Sequence, residues 1–206
     1  MNADGSNQHQ LTNNNVSNYR PTWSPDGSRI AFVEQIDKTV FELHVINVDG
    51  TNPRLLVNDS RASYPAWSPD GSKLVYDSLH NGDDLFYIAD SNGSNPTKLF
   101  DNGLSTTSSH ISWSPDGTRL VFDSSRSGRP QVYVANTDGT GLRQLTNSKG
   151  WNYNACWLSD QQIAFASTRD GHAVIYMMNA DGSGQQPVTQ DAAGISDDNP
   201  ACSSPR

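Results

Sequence analysis

The sequence predicts an all-β protein: a β-propeller of four-stranded antiparallel blades, with four complete blades and partial ones at both ends. Three observations carry this. The pentapeptide WSPDG occurs as Trp23 to Gly27, Trp67 to Gly71 and Trp113 to Gly117, and a worn copy follows at Trp157-Leu158-Ser159-Asp160-Gln161. These tryptophans lie 44, 46 and 44 residues apart, and a fixed period of this size marks a stacked or radial array. Second, an Asx-Gly pair recurs in phase at Asp4-Gly5, Asp49-Gly50, Asn92-Gly93, Asp138-Gly139 and Asp181-Gly182, where glycine supplies the positive φ of a tight hairpin. Two turns per period cut each repeat into four short segments. Third, the second segment of each repeat is apolar at alternating sites, Ile30/Phe32, Leu74/Tyr76, Leu120/Phe122 and Ile163/Phe165, and also at the site between, Ala31, Val75, Val121 or Ala164. A strand apolar on both faces is buried on both, as when small sheets pack against sheets around an axis.

The elements follow in order. Gln8 to Thr12 matches the ends of later repeats and is expected to be an outer edge strand, within a partial blade at 7–13. The complete blades are placed at about 18–60, 61–105, 106–148 and 149–191. In the first, Arg20 to Ser24, Arg29 to Val33, Phe41 to Ile46 and Pro53 to Val57 are the four strands. The second gives Lys73 to Tyr76, Leu85 to Ala89 and Thr97 to Phe100 after its Trp segment. The third gives Arg119 to Phe122, Gln131 to Ala135 and Leu142 to Thr146, and the fourth Gln162 to Ala166, Val174 to Met178 and Gln186 to Thr189. At 198–204, Asn199-Pro200-Ala201-Cys202-Ser203 matches Tyr64-Pro65-Ala66-Trp67-Ser68 with Cys in place of Trp, a candidate first strand of a further blade.

Of the 206 residues, 34% are hydrophobic and 17% charged, so the polarity comes from Ser, Asn, Thr, Gln and Gly. That suits short strands and turns, and no stretch is apolar enough to span a bilayer. Fourteen Lys and Arg against 22 Asp and Glu give a net charge of −8. With no basic cluster to neutralise phosphates, nucleic acid is excluded as a partner. Cys156 and Cys202 are too few for a disulfide scaffold. Either they bridge adjacent repeats or they are two buried thiols, and the thiols are the favoured reading. Met1 to Ser6 repeats Met178 to Ser183 residue for residue and lacks the basic start and apolar run of a signal peptide. The chain is therefore expected to begin inside a repeat, as an excerpt of a longer protein with any export signal upstream.

The pattern Trp113 to Phe122, followed by segments such as Ile175 to Ser183 and a Leu-Thr step, resembles the propeller repeats of the TolB C-terminal domain and its relatives. The resemblance runs from Met1 to about Cys202. It implies a non-enzymatic scaffold of the bacterial envelope, periplasmic or extracellular, since TolB uses its propeller to bind a peptidoglycan-associated lipoprotein. The same repeat also builds the propellers of prolyl-oligopeptidase-type peptidases.

WSPDG itself reads as structure: Trp packs between blades, Pro fixes φ and Asp-Gly turns the hairpin. The short hairpins share one rim, so the longer, variable connections lie on the other, where binding residues sit on loops held by a rigid scaffold. Three residues before each Trp stand Arg20, Tyr64, His110 and Asn154, with Asn199 equivalent. These start the innermost strands at the channel mouth and are the candidate ligand-binding residues. His80-Asn81-Gly82-Asp83-Asp84, with Asp77, offers oxygen ligands but lacks the spacing of a calcium loop, and reads as a solvated turn. Arg126, Arg169 and Asp170 read as rim charges. His9, His44, His80, His110 and His172 show no HExxH or paired-ligand spacing, and no G-x-S-x-G elbow is present. No catalytic residue, metal or cofactor is expected.

The leading expectation is a protein- or peptide-binding propeller without membrane insertion. One alternative is the accessory propeller of a prolyl-oligopeptidase-like peptidase. Another is an architectural fragment that assembles into homo-oligomers by strand exchange at unpaired blade edges.

Overall fold

The computed structural model describes Met1 and residues 4–57, 59, 61–80, 83–99, 110–189, 200 and 202. Over these residues the chain forms four antiparallel four-stranded meanders and no helix. Blade 1 contains β1 (Ser17–Trp23), β2 (Arg29–Gln35), β3 (Phe41–Asn47) and β4 (Arg54–Val57). Blade 2 contains β5 (Ala62–Trp67), β6 (Lys73–His80), β7 (Asp83–Asp90) and β8 (Thr97–Lys98). In blade 3 these are β9 (Ile111–Trp113), β10 (Arg119–Ser124), β11 (Gln131–Asn136) and β12 (Arg143–Gln144). Blade 4 has β13 (Asn152–Ser159), β14 (Gln162–Ser167), β15 (Val174–Asn179) and β16 (Gln186–Pro187). The chain is a β-propeller array in which each strand pairs with its sequence neighbours.

The WSPDG residues build the first hairpin of each blade. The buried Ser24 hydroxyl donates to Asp26 Oδ1 at 2.6 Å and accepts the Arg29 N–H at 2.9 Å. Asp26 Oδ1 also accepts the Ser28 N–H at 3.0 Å, and the Gly27 N–H closes the turn on the Ser24 carbonyl at 2.9 Å. Ser68 with Asp70 and Ser114 with Asp116 repeat the motif at 2.6 and 2.5 Å. These donors, the Ser24 hydroxyl foremost, hold the Asp26 carboxyl down at about 2. Serine and aspartate are thus turn residues, each occupied by the backbone it fixes.

The tryptophans tie each blade to the one before. Trp67 Nε1 donates to the Thr22 carbonyl at 3.4 Å and Trp113 Nε1 to the Ala66 carbonyl at 3.0 Å. Arg29 and Arg119 reach over the Trp67 and Trp157 rings, at 4.8 and 4.5 Å. Trp23 is 57% exposed against 7% for Trp67.

The core lies between blades, as a strand buried on both faces requires. Ala31, Leu43 and Val45 of blade 1 meet Trp67, Leu74 and Tyr76 of blade 2. Val75 and Phe86 meet Trp113, Leu120 and Phe122 of blade 3. Val121, Val132 and Val134 meet Trp157, Ile163 and Phe165 of blade 4. The other face of blade 1 holds Ile30, Phe32 and Ile46, with Leu11 packed on them. The turns of the third and fourth strands also nest against the preceding blade. A Cβ on Gly139 would stand 2.0 Å from the Leu99 carbonyl oxygen, and on Gly93 1.6 Å from that of Leu56, so only glycine fits this seam.

Residues 8–13 form no strand. Leu11 still takes the seam position against Gly50, its carbonyl oxygen 3.6 Å from where a Cβ would lie. It holds the place of an outer strand without a paired neighbour to complete a ladder. In blade 2 the second and third strands run on to His80 and Asp83, which pair with each other, where the sequence suggests that both residues belong to a loop. Of the candidate oxygen ligands there, Asn81 and Gly82 and the side chains of His80, Asp83 and Asp84 lie outside the described residues.

Candidate functional site: the axial channel

The first strands β1, β5, β9 and β13 converge on a channel of about 1000 Å³. Its lining includes Arg20, Tyr64 and His110 at one end and Pro25, Pro69 and Pro115 of the WSPDG turns at the other. Three first strands are interrupted at the same place. The register skips between Tyr19 and Thr22, between Ser63 and Ala66, and between Tyr153 and Cys156. Inside each skip the residue three before the Trp is left-handed: Arg20 at φ 51°, Tyr64 at 47° and Asn154 at 52°. A bulge of this kind re-aims a side chain out of the strand alternation. For non-glycine residues the conformation costs of order 1–3 kcal/mol, and here it recurs in three blades at the position predicted to face a ligand.

Neighbouring blades hold these residues to one another. Arg20 Nη2 donates to the Tyr64 hydroxyl and Nη1 to Ser63 Oγ at 3.2 Å. The Arg20 guanidinium carbon lies 3.6 Å from the Tyr64 ring centroid, a cation–π stack across the blade boundary. His110 Nδ1 is 3.3 Å from the Ala155 carbonyl oxygen of the next blade. A carbonyl only accepts, so Nδ1 carries the proton and Nε2 is left as an acceptor. Burial lowers the His110 pKa below the ordinary imidazole value, which keeps the ring neutral at pH 7. The Asn154 N–H donates to Asp123 Oδ1 of blade 3 at 3.0 Å, so the fourth bulge is fixed from the preceding blade. Asn154 is not among the described residues lining the channel. Asn199 lies outside the described residues, while its neighbours Pro200 and Cys202 line the channel.

Cys202 is bonded to Cys156, their Cα atoms 5.9 Å apart, which corrects the reading as two buried thiols. Cys202 occupies the Trp slot of a fifth repeat and Cys156 the residue before the Trp of the fourth. Between blades 2 and 3 these two positions are joined by the Trp113 to Ala66 hydrogen bond. Here a covalent bond spans the same pair of positions, and Pro200 and Cys202 line the channel wall.

Arg126 and Arg169 correct a second reading. They are not rim charges but half-buried caps on aromatic pairs. The Arg126 guanidinium carbon lies 4.7 Å from the Tyr133 ring centroid and 5.6 Å from that of Phe122, and Arg169 lies 4.4 and 5.5 Å from Tyr176 and Phe165. Ser124 and Ser167 accept from their Nε at 3.1 and 2.8 Å. Burial lowers the pKa of both arginines. Asp170 is exposed and accepts the Tyr176 hydroxyl proton. The signal was present in sequence as Ser-x-Arg at the end of the second strand in blades 3 and 4, Ser124 to Arg126 and Ser167 to Arg169.

A family model described as the TolB beta propeller domain matches residues 1–205. Among solved structures, TolB from Acinetobacter baumannii is similar at 20% identity and TM-score 0.77, over 94% of this chain and 49% of that one. A candidate TolB from Agrobacterium tumefaciens gives 21% and 0.74, over 82% and 64%. A puromycin-hydrolyzing peptidase from Mycobacterium tuberculosis gives 16% and 0.70, over 89% and 33%. The chain thus spans less than two thirds of the TolB structures it matches. At these identities the likeness speaks for the fold alone. No curated protein sequence matches the chain.

Proposed function

This chain belongs to the TolB β-propeller family, and from that premise we propose that it is a non-enzymatic scaffold that holds an extended peptide or a protein segment at the mouth of its axial channel. The observation that carries the reading is the set of left-handed bulges, which turn Arg20 and Tyr64 from the strand alternation beside His110 at one end of the channel. The described lining is rich in Trp and Pro, surfaces on which a peptide packs with little loss of entropy. Arg20 is the one charged residue among that described lining, and its planar guanidinium suits a carboxylate on the partner. His110, neutral with Nε2 as acceptor, adds a site for a peptide N–H.

The blades at about 18–60, 61–105, 106–148 and 149–191 are the scaffold of that site, with the flanking segments at 7–13 and 198–204 as parts of further blades. The Cys156–Cys202 bond supports a periplasmic or extracellular location, because disulfides persist in oxidising compartments. No helix among the described residues is long and apolar enough to cross a membrane.

The test is binding of a library of extended peptides, with free or amidated C-termini, to the chain and to a triple variant, Arg20→Asn, Tyr64→Asn and His110→Asn. Asparagine is chosen because Asn154 adopts the same φ in blade 4. Retained peptides should bind the variant at least tenfold more weakly, with mass spectra showing them uncut. Equal binding by both proteins removes the proposed surface, and cleavage removes the non-enzymatic reading.

A further inference from the structure

Blade 1 departs from its siblings at one place on its second and third strands. In blades 2, 3 and 4 an aromatic pair, Tyr76 with Tyr87, Phe122 with Tyr133 and Phe165 with Tyr176, is followed two residues along the second strand by Ser78, Ser124 or Ser167. In blade 1 the corresponding pairs are Phe32 with His44 and Glu34 with Glu42. Two carboxylates therefore stand directly opposite each other, an arrangement that destabilises a sheet unless a cation lies between them. Glu34 is buried, which raises the cost of leaving its charge uncompensated.

His44 Nε2 points between the two carboxylates, 3.1 Å from Glu34 Oε2 and 3.0 Å from Glu42 Oε2. One ligand atom from each of the three residues lies within 4.8 Å of the other two. We propose that Glu34, Glu42 and His44 form a binding site for a divalent transition-metal ion of the zinc class.

The geometry supports this in four ways. A tetrahedral ion with bonds of about 2.0–2.2 Å sets its ligands roughly 3.3–3.5 Å apart, so His44 Nε2 needs to move by only a few tenths of an ångström from each carboxylate oxygen, and the ligand atoms already lie within 4.8 Å of one another. An imidazole with two carboxylates is a set for zinc, cobalt or manganese, whereas calcium and magnesium take oxygen ligands. The Asn14 side-chain amide donates to Glu34 Oε1, leaving Oε2 directed at His44, the outer hydrogen bond that orients a ligating carboxylate. The Glu42 side chain is 32% exposed, which gives the ion a path in and leaves room for water as a fourth ligand. Helix-type metal motifs miss the site because Glu42-Leu43-His44 is a strand motif: residues two apart share a face. The competing arrangement is His44 Nε2–H hydrogen-bonded between the two glutamates with no ion.

The two are separated by titrating zinc and cobalt into the tag-free, metal-stripped chain and into a double variant, Glu34→Ser with His44→Tyr. That variant gives blade 1 the serine and the Phe–Tyr pair that blades 3 and 4 already carry, and its melting temperature should match or exceed that of the metal-free parent. The parent should take up one equivalent of zinc, show the visible absorption of tetrahedral cobalt and gain melting temperature with either ion. The variant should bind at least 100-fold more weakly and gain nothing. Absence of saturable one-to-one uptake by the parent overturns the proposal, as does one-to-one uptake retained by the variant. If the double variant fails to fold, Glu42→Gln at the more open ligand replaces it, and unchanged uptake there is equally fatal.

Discussion

Blades 1 and 3 are built from the same repeat, yet blade 3 is clamped between two blades while blade 1 packs against blade 2 on one face and the segment around Leu11 on the other. Phe122 of blade 3 is fully buried, with Phe86 of blade 2 edge-on at 5.0 Å, Tyr133 stacked at 6.0 Å and Arg126 closing the top. Its counterpart Phe32 meets Ile30, Ile46 and Leu11, and its cross-strand partner is His44 at 5.9 Å rather than tyrosine. Where a position is clamped between blades, the repeat residue is kept because volume and apolarity are both dictated. Where the second neighbour is a single leucine, polar ligating residues enter without breaking a core. Departures from the repeat therefore indicate where the chain can do something besides fold.

The largest effect that would sharpen this contrast is in the core. Phe122→Ala should cost about 3–5 kcal/mol, the usual range for emptying an enclosed aromatic site. Phe32→Ala should cost clearly less, because water and Leu11 can move into the space. Urea unfolding of both variants checks the ordering, and equal losses would mean that blade 1 is packed against Leu11 as tightly as blade 3 is against blade 2.

Next comes the disulfide. Its partners are 46 residues apart, and a loop of that length corresponds to about 4 kcal/mol of chain entropy removed from the unfolded state. Cys156→Ser with Cys202→Ser should lose about 2–4 kcal/mol, with the loss centred on blade 4. Hydrogen exchange should then rise in β13 and leave β1 to β4 unchanged; a uniform rise would show one cooperative unit rather than separable blades.

The glycine turns divide the same way. Gly27 and Gly139 both have positive φ, +67° and +84°, but a Cβ on Gly27 meets nothing within 4 Å while one on Gly139 meets the Leu99 carbonyl at 2.0 Å. Gly27→Ala should cost roughly 1 kcal/mol for the backbone conformation alone. Gly139→Ala must in addition push blade 2 away, and its melting temperature should fall several times further.

Much of this was legible in the sequence, and the exceptions have physical causes. The period, the turns and the strand buried on both faces place sixteen strands because each depends on local chemistry repeated four times. The positions of Arg20, Tyr64 and His110 at the channel follow from their phase relative to Trp. The bulges do not, since Arg-Pro-Thr-Trp and Tyr-Pro-Ala-Trp carry no glycine to announce a left-handed residue. The disulfide was obscured because Cys202 stands where the repeat has Trp, so its contact is only evident once that Trp is seen against the preceding blade. Arg126 and Arg169 were misread because a charge after a strand looks solvated until the aromatic pair beneath it is known. The Glu34, Glu42 and His44 grouping required the β2–β3 register, which a single strand's sequence cannot supply.

The smallest effect concerns the hairpin turns that all blades but the fourth share. Asp26 is held at about 2, first by the Ser24 hydroxyl and then by the Ser28 backbone and side chain, and Asp70 is lowered by Ser68 and Ser72 in the same order. A carboxyl whose folded pKa lies below its unfolded value near 4 contributes stability above that value and loses it as pH falls through the folded one. The turns should therefore add a fall in melting temperature between about pH 4 and 2, separate from the decline that His110, its pKa lowered by burial, contributes as pH falls below the ordinary imidazole value. Ser24→Ala removes the leading donor, so Asp26 should titrate closer to 4 and the acid-linked fall should become shallower. Nuclear magnetic resonance titration of the Asp26 carboxyl checks this directly. An unchanged pKa in Ser24→Ala would mean that the Ser28 donors alone fix the turn, and that the buried serine of WSPDG serves the Arg29 backbone rather than the aspartate.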